Sequence, residues 1–154
     1  MTHEFILHAP DDLPYVDIQR DFDAPVEKLW IAHSDPALVG QWIGHRVAEY
    51  DLRQGGRFRF EHDFEGQVLK FWGIFHNVHE GRFIAQTFEF ENKPDKPTIE
   101  FLHFESLGPN LSRLRGHAVY YDMDERNAMT QGPVDFSVGV VAGYRKLDEI
   151  LASL

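Results

Sequence analysis

The chain contains no cysteine, so disulfides, thiolate nucleophiles and zinc sites with thiolate ligands are all excluded. It also lacks a long hydrophobic run, because its apolar stretches last only a few residues and a helix needs about 20 to cross a bilayer. The first residues read MTHEFILH and are soon followed by Asp11 and Asp12, which is not the pattern of a secretory leader. We therefore expect no membrane association and a cytoplasmic protein.

Positive charge is also scarce, since 15 Lys and Arg face 25 Asp and Glu and leave a formal net charge of −10. Such a field repels DNA and RNA unless a dense basic patch overcomes it. The closest basic clusters are the pairs Arg57/Arg59 and Arg113/Arg115, which alternate along predicted strands and have acids nearby. We expect no nucleic-acid partner.

Nine histidines invite a search for a metal site, but the sequence does not bring them together. His76 and His79 form the one close pair, and His79 falls in a predicted turn. Zinc sites need three or four converging ligands. We expect neither a metal nor any other cofactor.

Signals for nucleophilic or phosphate chemistry are missing as well. Ser34 and Ser137 have no recognisable His and Asp partners and no nucleophile-elbow motif. The Gly55-Gly56 pair leads from one predicted strand into another, whereas phosphate-binding loops open a helix. We therefore predict no catalytic residues, and the sequence favours a binding protein over an enzyme.

Apolar and aromatic side chains are abundant, at 43% hydrophobic residues and thirteen Phe among the 154 residues. Phe buries a large area per residue, so a core can be built from few positions. No repeat, low-complexity tract or linker divides the sequence. We expect a single domain over residues 1–154, the usual size of one domain.

Alternation of apolar and polar residues, typical of half-buried strands, recurs along the chain. In the first segment Val16, Ile18, Arg20 and Phe22 point to one side. Short turns separate most of the later segments, so consecutive strands should pair antiparallel. The predicted strands cover residues 15–22, 47–52, 57–62, 67–78, 82–91, 98–106 and 111–121.

Two short helices are predicted between the first and second strands. An apolar stripe at helical spacing begins at Val26 and includes His33, which we expect to be a core histidine bonded to the backbone. Asp35-Pro36 is then typical of an N-cap followed by Pro at the first helical position, starting a second helix.

The end of the chain is predicted to be helical. Asp122-x-x-Glu125 resembles a capping box, and the Gly132-Pro133 step should separate a short helix from one of roughly five turns. The long helix is the one element able to cover the apolar face of the sheet, through Phe136, Val140, Tyr144, Leu147 and Leu151. The fold class is therefore α+β, a curved seven-stranded antiparallel sheet wrapped around a long C-terminal helix.

The sheet face that meets this helix is predicted to combine aromatic and polar side chains. Placing Arg113 and Arg115 in water turns Tyr120 inward, and placing Glu100 in water turns Phe101 and His103 inward. An apolar basin with a few polar groups is how ligand pockets are built, and the alternative is a dry core whose polar atoms satisfy one another. The predicted ligand-binding residues are Trp42, Phe60, His62, Gln86, Phe88, Phe101, His103, Tyr120, Val141 and Tyr144.

Several short motifs, in order and at their spacing, resemble the START-like (SRPBCC) helix-grip superfamily, in its heat-shock-protein-90 ATPase activator homologue-like branch. The resemblance runs from about Asp17 to Leu151, and it implies the helix-grip fold. It is specific for fold and poorly specific for function. Its carriers are Phe22-Asp23-Ala24-Pro25 with Trp30, Ser34-Asp35-Pro36 with Trp42, Asp51-x-Arg53-x-Gly55-Gly56, Gly73-x-Phe75 and Gly143-Tyr144-x-x-Leu147-Asp148-x-x-Leu151.

Two places depart from the family pattern. Gly44 stands where family members commonly carry Pro, and the segment from Gly132 to Phe136 differs from their usual Gly-Met turn. The second departure lies at the predicted helix break, and it therefore bears on the shape of the pocket entrance that this break would form.

Three functions stay open at this point. The first is binding of a small hydrophobic or aromatic ligand between the sheet and the long helix. The second, implied by the resemblance alone, is a co-chaperone-like protein-interaction module with a role in the stress response. The third is a cyclase or hydrolase for an aromatic or polyketide-like substrate, with His103 and Tyr120 as proton handlers, as in some START-like relatives. A chaperone partner and a homodimer are left open by the sequence.

Overall fold

The computed structural model describes residues 3–131 and 136–154. Their strands form one antiparallel sheet of eight, in the order β1-β2-β8-β7-β6-β5-β4-β3. The strands are β1 (Ile6–His8), β2 (Tyr15–Phe22), β3 (Arg46–Tyr50), β4 (Arg57–Phe64), β5 (Gln67–His79), β6 (Phe83–Phe90), β7 (Thr98–Gly108) and β8 (Leu111–Val119). The seven predicted strands are present, and β1 is added at one edge.

The helices are α1 (Val26–Ser34), α2 (Pro36–Trp42), α3 (Met123–Thr130) and α4 (Phe136–Ser153). The Asp35 side chain accepts a hydrogen bond from the backbone N–H of Ala37 at 2.9 Å, which confirms the predicted cap of α2. The Asp122 side chain likewise accepts from the backbone N–H of Glu125 at 2.9 Å and caps α3. The predicted Gly132-Pro133 break lies outside the described residues.

Helices α1, α2 and α4 cover one face of the sheet, which we call the inner face. Phe22, Phe58 and Leu114 of the sheet are fully buried and belong to one hydrophobic cluster with Leu147 of α4. On α1 the ring of Trp30 meets Phe104 edge-on, with 5.0 Å between centroids. The core is therefore the interface between sheet and helices, as the helix-grip arrangement requires.

Two contacts hold α4 in place. A Cβ at Gly143 would lie 2.8 Å from the backbone oxygen of Trp42, so α4 and α2 approach as closely as they do because the residue is Gly. On β2, Arg20 is only 3% exposed and donates two hydrogen bonds to the Asp148 carboxylate, at 2.7 and 2.6 Å. This bidentate ion pair joins the sheet to the C-terminal half of α4.

The edges of the sheet are short or irregular. One edge strand, β1, has three residues, and the other, β3, has a shift in its pairing with β4 between Val47 and Glu49. Of the helices in the described parts of the chain, none is long and apolar enough to span a membrane.

Candidate functional site

Glu100 of β7 faces the helices. It lies opposite Gln86 of β6 in the sheet register and shares its side of the strand with Phe104, which packs on α1. Its side chain accepts a hydrogen bond from Gln86 Nε2 at 3.0 Å. The expectation that Glu100 points to water is therefore wrong, because it rested on the preference of charged residues for solvent in a segment that is apolar on both sides.

The same register corrects two predicted ligand-binding residues, since alternation places Phe101 and His103 on the outer face of the sheet. There the His103 ring lies 4.8 Å from that of Phe83, and the Phe101 ring lies 6.1 Å from that of His117. Both line an open groove of about 670 Å³ on that face, together with Asp17. The His103–Tyr120 pair of the enzyme hypothesis is thus divided between opposite faces of the sheet.

Two tyrosines complete a polar cluster around Glu100. Burial raises the pKa of Tyr120, and the nearby Glu100 charge raises it further. Burial and Glu100 likewise raise the pKa of Tyr144 on α4, while Arg20 acts in the opposite direction. Of the predicted site residues, Gln86 is hydrogen-bonded to a carboxyl group that the prediction missed, and Tyr120 and Tyr144 are near enough for that group to influence their pKa values. We call Gln86, Glu100, Tyr120 and Tyr144 the inner polar cluster.

Glu100 loses much of its hydration in the folded protein but is not fully buried. Burial raises its pKa, because the charged form loses hydration, and the hydrogen bond from Gln86 only partly offsets this. Yet the residue keeps an intermediate share of its accessible surface. Glu100 is therefore an inward-facing acidic residue that is not fully buried.

The aromatic residues of the predicted site lie on the inner side of the sheet. The Trp42 ring is 6.1 Å from that of Tyr144, and its indole N–H donates to the backbone oxygen of Ala32 at 2.9 Å. Phe60 is buried, and Phe88 is partly buried with its ring 6.2 Å from that of Phe58. These rings provide the apolar wall beside the inner polar cluster.

The two remaining predicted site residues lie further along their elements. His62 is near the end of β4, where its Nδ1 is 3.2 Å from the backbone oxygen of Gly44 and its ring is 5.0 Å from that of His45. Val141 is partly buried on α4, seven residues before Asp148 and hence on the same side of the helix. That side faces β2 through the Arg20–Asp148 ion pair.

His33 is a structural histidine, as predicted. Its Nδ1 donates to the backbone oxygen of Leu29 at 2.8 Å, and its ring is enclosed by Trp42 and Phe104. Burial lowers the pKa of His33 to about 4, so the ring is neutral at physiological pH. Within residues 3–131 and 136–154, no three His, Asp or Glu side chains are placed to hold a metal ion.

Comparison with solved structures finds the same fold in bacterial proteins of low sequence identity. A crystal structure of a protein from Rhodobacter sphaeroides matches with a TM-score of 0.85 and 21% identity, over 98% of this chain and 100% of that one. Protein Ms6760 from Mycobacterium smegmatis matches with a TM-score of 0.85 and 17% identity, over 98% and 99%. A solution structure of a protein from Arthrobacter aurescens matches with a TM-score of 0.80 and 16% identity, over 97% of this chain and 92% of that one.

The family comparison is more specific. The family model described as "Activator of Hsp90 ATPase homolog 1-like protein" matches residues 23–152, most of the chain. No curated protein matches the sequence.

Proposed function

The chain belongs to the family of Activator of Hsp90 ATPase homolog 1-like proteins, in the START-like (SRPBCC) superfamily, and on that premise we propose that it binds a small hydrophobic or aromatic ligand between the sheet and α4. The observation that supports the proposal is the position of Glu100, an acidic residue on the inner face that accepts a hydrogen bond from Gln86 and is only partly buried. A few polar groups set in an aromatic wall are the usual composition of a small-molecule site.

A single substitution on α4 tests the proposal. Val141→Trp should fill the space beside the sheet, so an apolar fluorescent probe that binds the wild type at one site per chain should bind this variant at least tenfold more weakly. Stability should change little, because an added indole would occupy empty volume. In a solid core the same indole would overpack and cost about 1–3 kcal/mol. Fluorescence titration and urea melts of one preparation measure both quantities.

The control is Val138→Trp, three residues earlier on the same helix, where the side chain is 68% exposed. It should change neither probe affinity nor stability. A strongly destabilised Val141→Trp, in a parent that binds no probe, would contradict the proposal and favour a solid core.

A protein partner is the second candidate, and the outer face of the sheet favours it. Ile99 is 45% exposed beside the partly exposed rings of Phe101 and Phe83, which lie 6.4 Å apart. An exposed apolar patch of this kind is typical of interaction sites. If this face binds Hsp90, the purified protein should raise the ATPase rate of Hsp90 from the same host, and Phe101→Glu should abolish the increase. An unchanged Hsp90 rate with the wild type would count against this candidate.

A further inference from the structure

The Glu100 carboxyl has no cationic partner among the described residues. Arg20 is close enough to influence Tyr144, but its two terminal nitrogens are bound to the Asp148 carboxylate at 2.7 and 2.6 Å. The two charges of that pair neutralise each other. When Glu100 is ionised, its charge is therefore not balanced by the described residues, and a cation bound beside it would favour that ionised form.

Its hydrogen-bonding capacity is also largely unused. A carboxylate has two oxygens and about four acceptor sites, and among the described residues only Gln86 donates to it, at 3.0 Å to Oε1. Burial and, to a smaller extent, Glu100 raise the pKa values of Tyr120 and Tyr144, and within residues 3–131 and 136–154 neither hydroxyl makes a hydrogen bond. Acceptor sites that stay unpaired in a low-dielectric interior cost free energy. A ligand that donates hydrogen bonds to them removes this cost and so binds more tightly.

We propose that the ligand of this site is an aromatic molecule that carries a hydrogen-bond-donating group, a protonated amine above all, and that this group pairs with the Glu100 carboxylate. The inference rests on the proposed function of the same site. Gln86 acts as a positioning residue, because its bond to Oε1 fixes the carboxylate plane and leaves Oε2 for the ligand. The two tyrosine hydroxyls are then available to the remaining N–H groups of the ammonium, which has three donors.

The same geometry predicts what the site rejects. A ligand that ends in a carboxylate would place a second carboxyl group beside Glu100, and two carboxylates in a low-dielectric site cannot both stay ionised without a large cost. This arrangement therefore predicts that an amine binds more tightly than an acid on the same aromatic scaffold. A purely apolar site would instead bind both more weakly than the unsubstituted hydrocarbon.

Four fluorescent naphthalenes of similar size test the proposal at pH 7 and physiological salt: 1-methylnaphthalene, 1-naphthylmethanol, 1-naphthylmethylamine and 1-naphthylacetate. The amine should bind at least tenfold more tightly than 1-methylnaphthalene, because charge-assisted hydrogen bonds are the strong ones. The alcohol should fall between them, and the acetate should bind most weakly. Glu100→Gln should reduce the preference for the amine over 1-methylnaphthalene, both measured on the same variant, to within about twofold.

The matched control is Glu105→Gln on the same strand, where the side chain faces outward and pairs with Arg115 at 2.6 Å. It removes the same charge and should keep the full preference for the amine. Glu100→Asp, which keeps a carboxylate, should retain part of it. Thermal melts of each variant verify folding.

The outcomes separate the two proposals. If 1-methylnaphthalene binds at one site per chain but the amine has no advantage, or the acetate binds best, the role of Glu100 is overturned and the proposed function stands. If none of the four binds the wild type, the proposed function fails and this inference fails with it.

Discussion

His33 shows how one buried residue ties stability to pH. Its folded-state pKa of about 4 lies below the value near 6.5 of the unfolded chain. Between these values the unfolded state binds more protons, so stability rises with pH and is lost as pH falls from about 6.5 towards 4. A gap of this size corresponds to about 3 kcal/mol.

We predict that acid weakens the wild type more than His33→Phe, which keeps a ring of similar shape in the same aromatic surroundings but cannot be protonated. The difference in unfolding free energy between the two proteins should shift by about 3 kcal/mol between pH 7.5 and pH 4. Urea melts at several pH values measure it, and groups common to both proteins cancel in the difference. A difference that stays constant with pH would mean that His33 is not buried as a neutral ring.

Glu100 shows where residue-level reasoning failed. The segment Ile99-Glu100-Phe101-Leu102-His103-Phe104 has apolar residues on both sides, so its alternation does not say which side faces the core. The charge of Glu100 was the remaining guide, and it wrongly predicted that this side chain faces water. The polar partner Gln86 was correctly placed inward, and a polar residue needs a partner when buried. Pairing Gln86 with Glu100 would have given the correct register.

At the scale of the element, α4 carries two glycines four residues apart that face different surroundings. At Gly143 a Cβ would meet the Trp42 backbone oxygen at 2.8 Å, whereas at Gly139 it would meet no atom within 4 Å. The two positions share a helical backbone, so the intrinsic benefit of Ala over Gly is about the same at both, up to about 1 kcal/mol.

We predict opposite effects of the same substitution at these two positions. Gly139→Ala should stabilise the protein by about 0.5–1 kcal/mol, while Gly143→Ala should destabilise it, because backbone atoms of α2 cannot move aside as a flexible side chain would. Chemical denaturation of the two variants beside the wild type decides this. Equal stabilisation by both changes would show that α2 and α4 do not pack this closely.

Elements with regular periodicity were predicted well. The two short helices, the caps at Asp35 and Asp122 and the seven longer strands follow from spacing and cap chemistry that local sequence encodes. Strand β1 was missed because three residues are too few to show alternation. The Arg20–Asp148 pair was also missed, although Arg20 was placed on the inward side, since nothing local links residues 128 positions apart.

On the scale of the whole molecule, the sequence predicts the fold better than the site. The arrangement of sheet and helix follows from one apolar sheet face and one long apolar helix. The site depends on how β6 and β7 align, and a shift of one residue exchanges the two faces of a strand. Fold is therefore robust to such an error, whereas a list of lining residues is not.

The edges of the sheet, formed by β1 and β3, bear on how this protein behaves at high concentration. Aggregation by strand addition needs a long, regular row of free backbone N–H and C=O groups. Strand β1 offers three residues, and β3 is interrupted between Val47 and Glu49, an irregularity that bends and twists an edge away from a flat partner. Neither edge is a good template for an amyloid-like ladder.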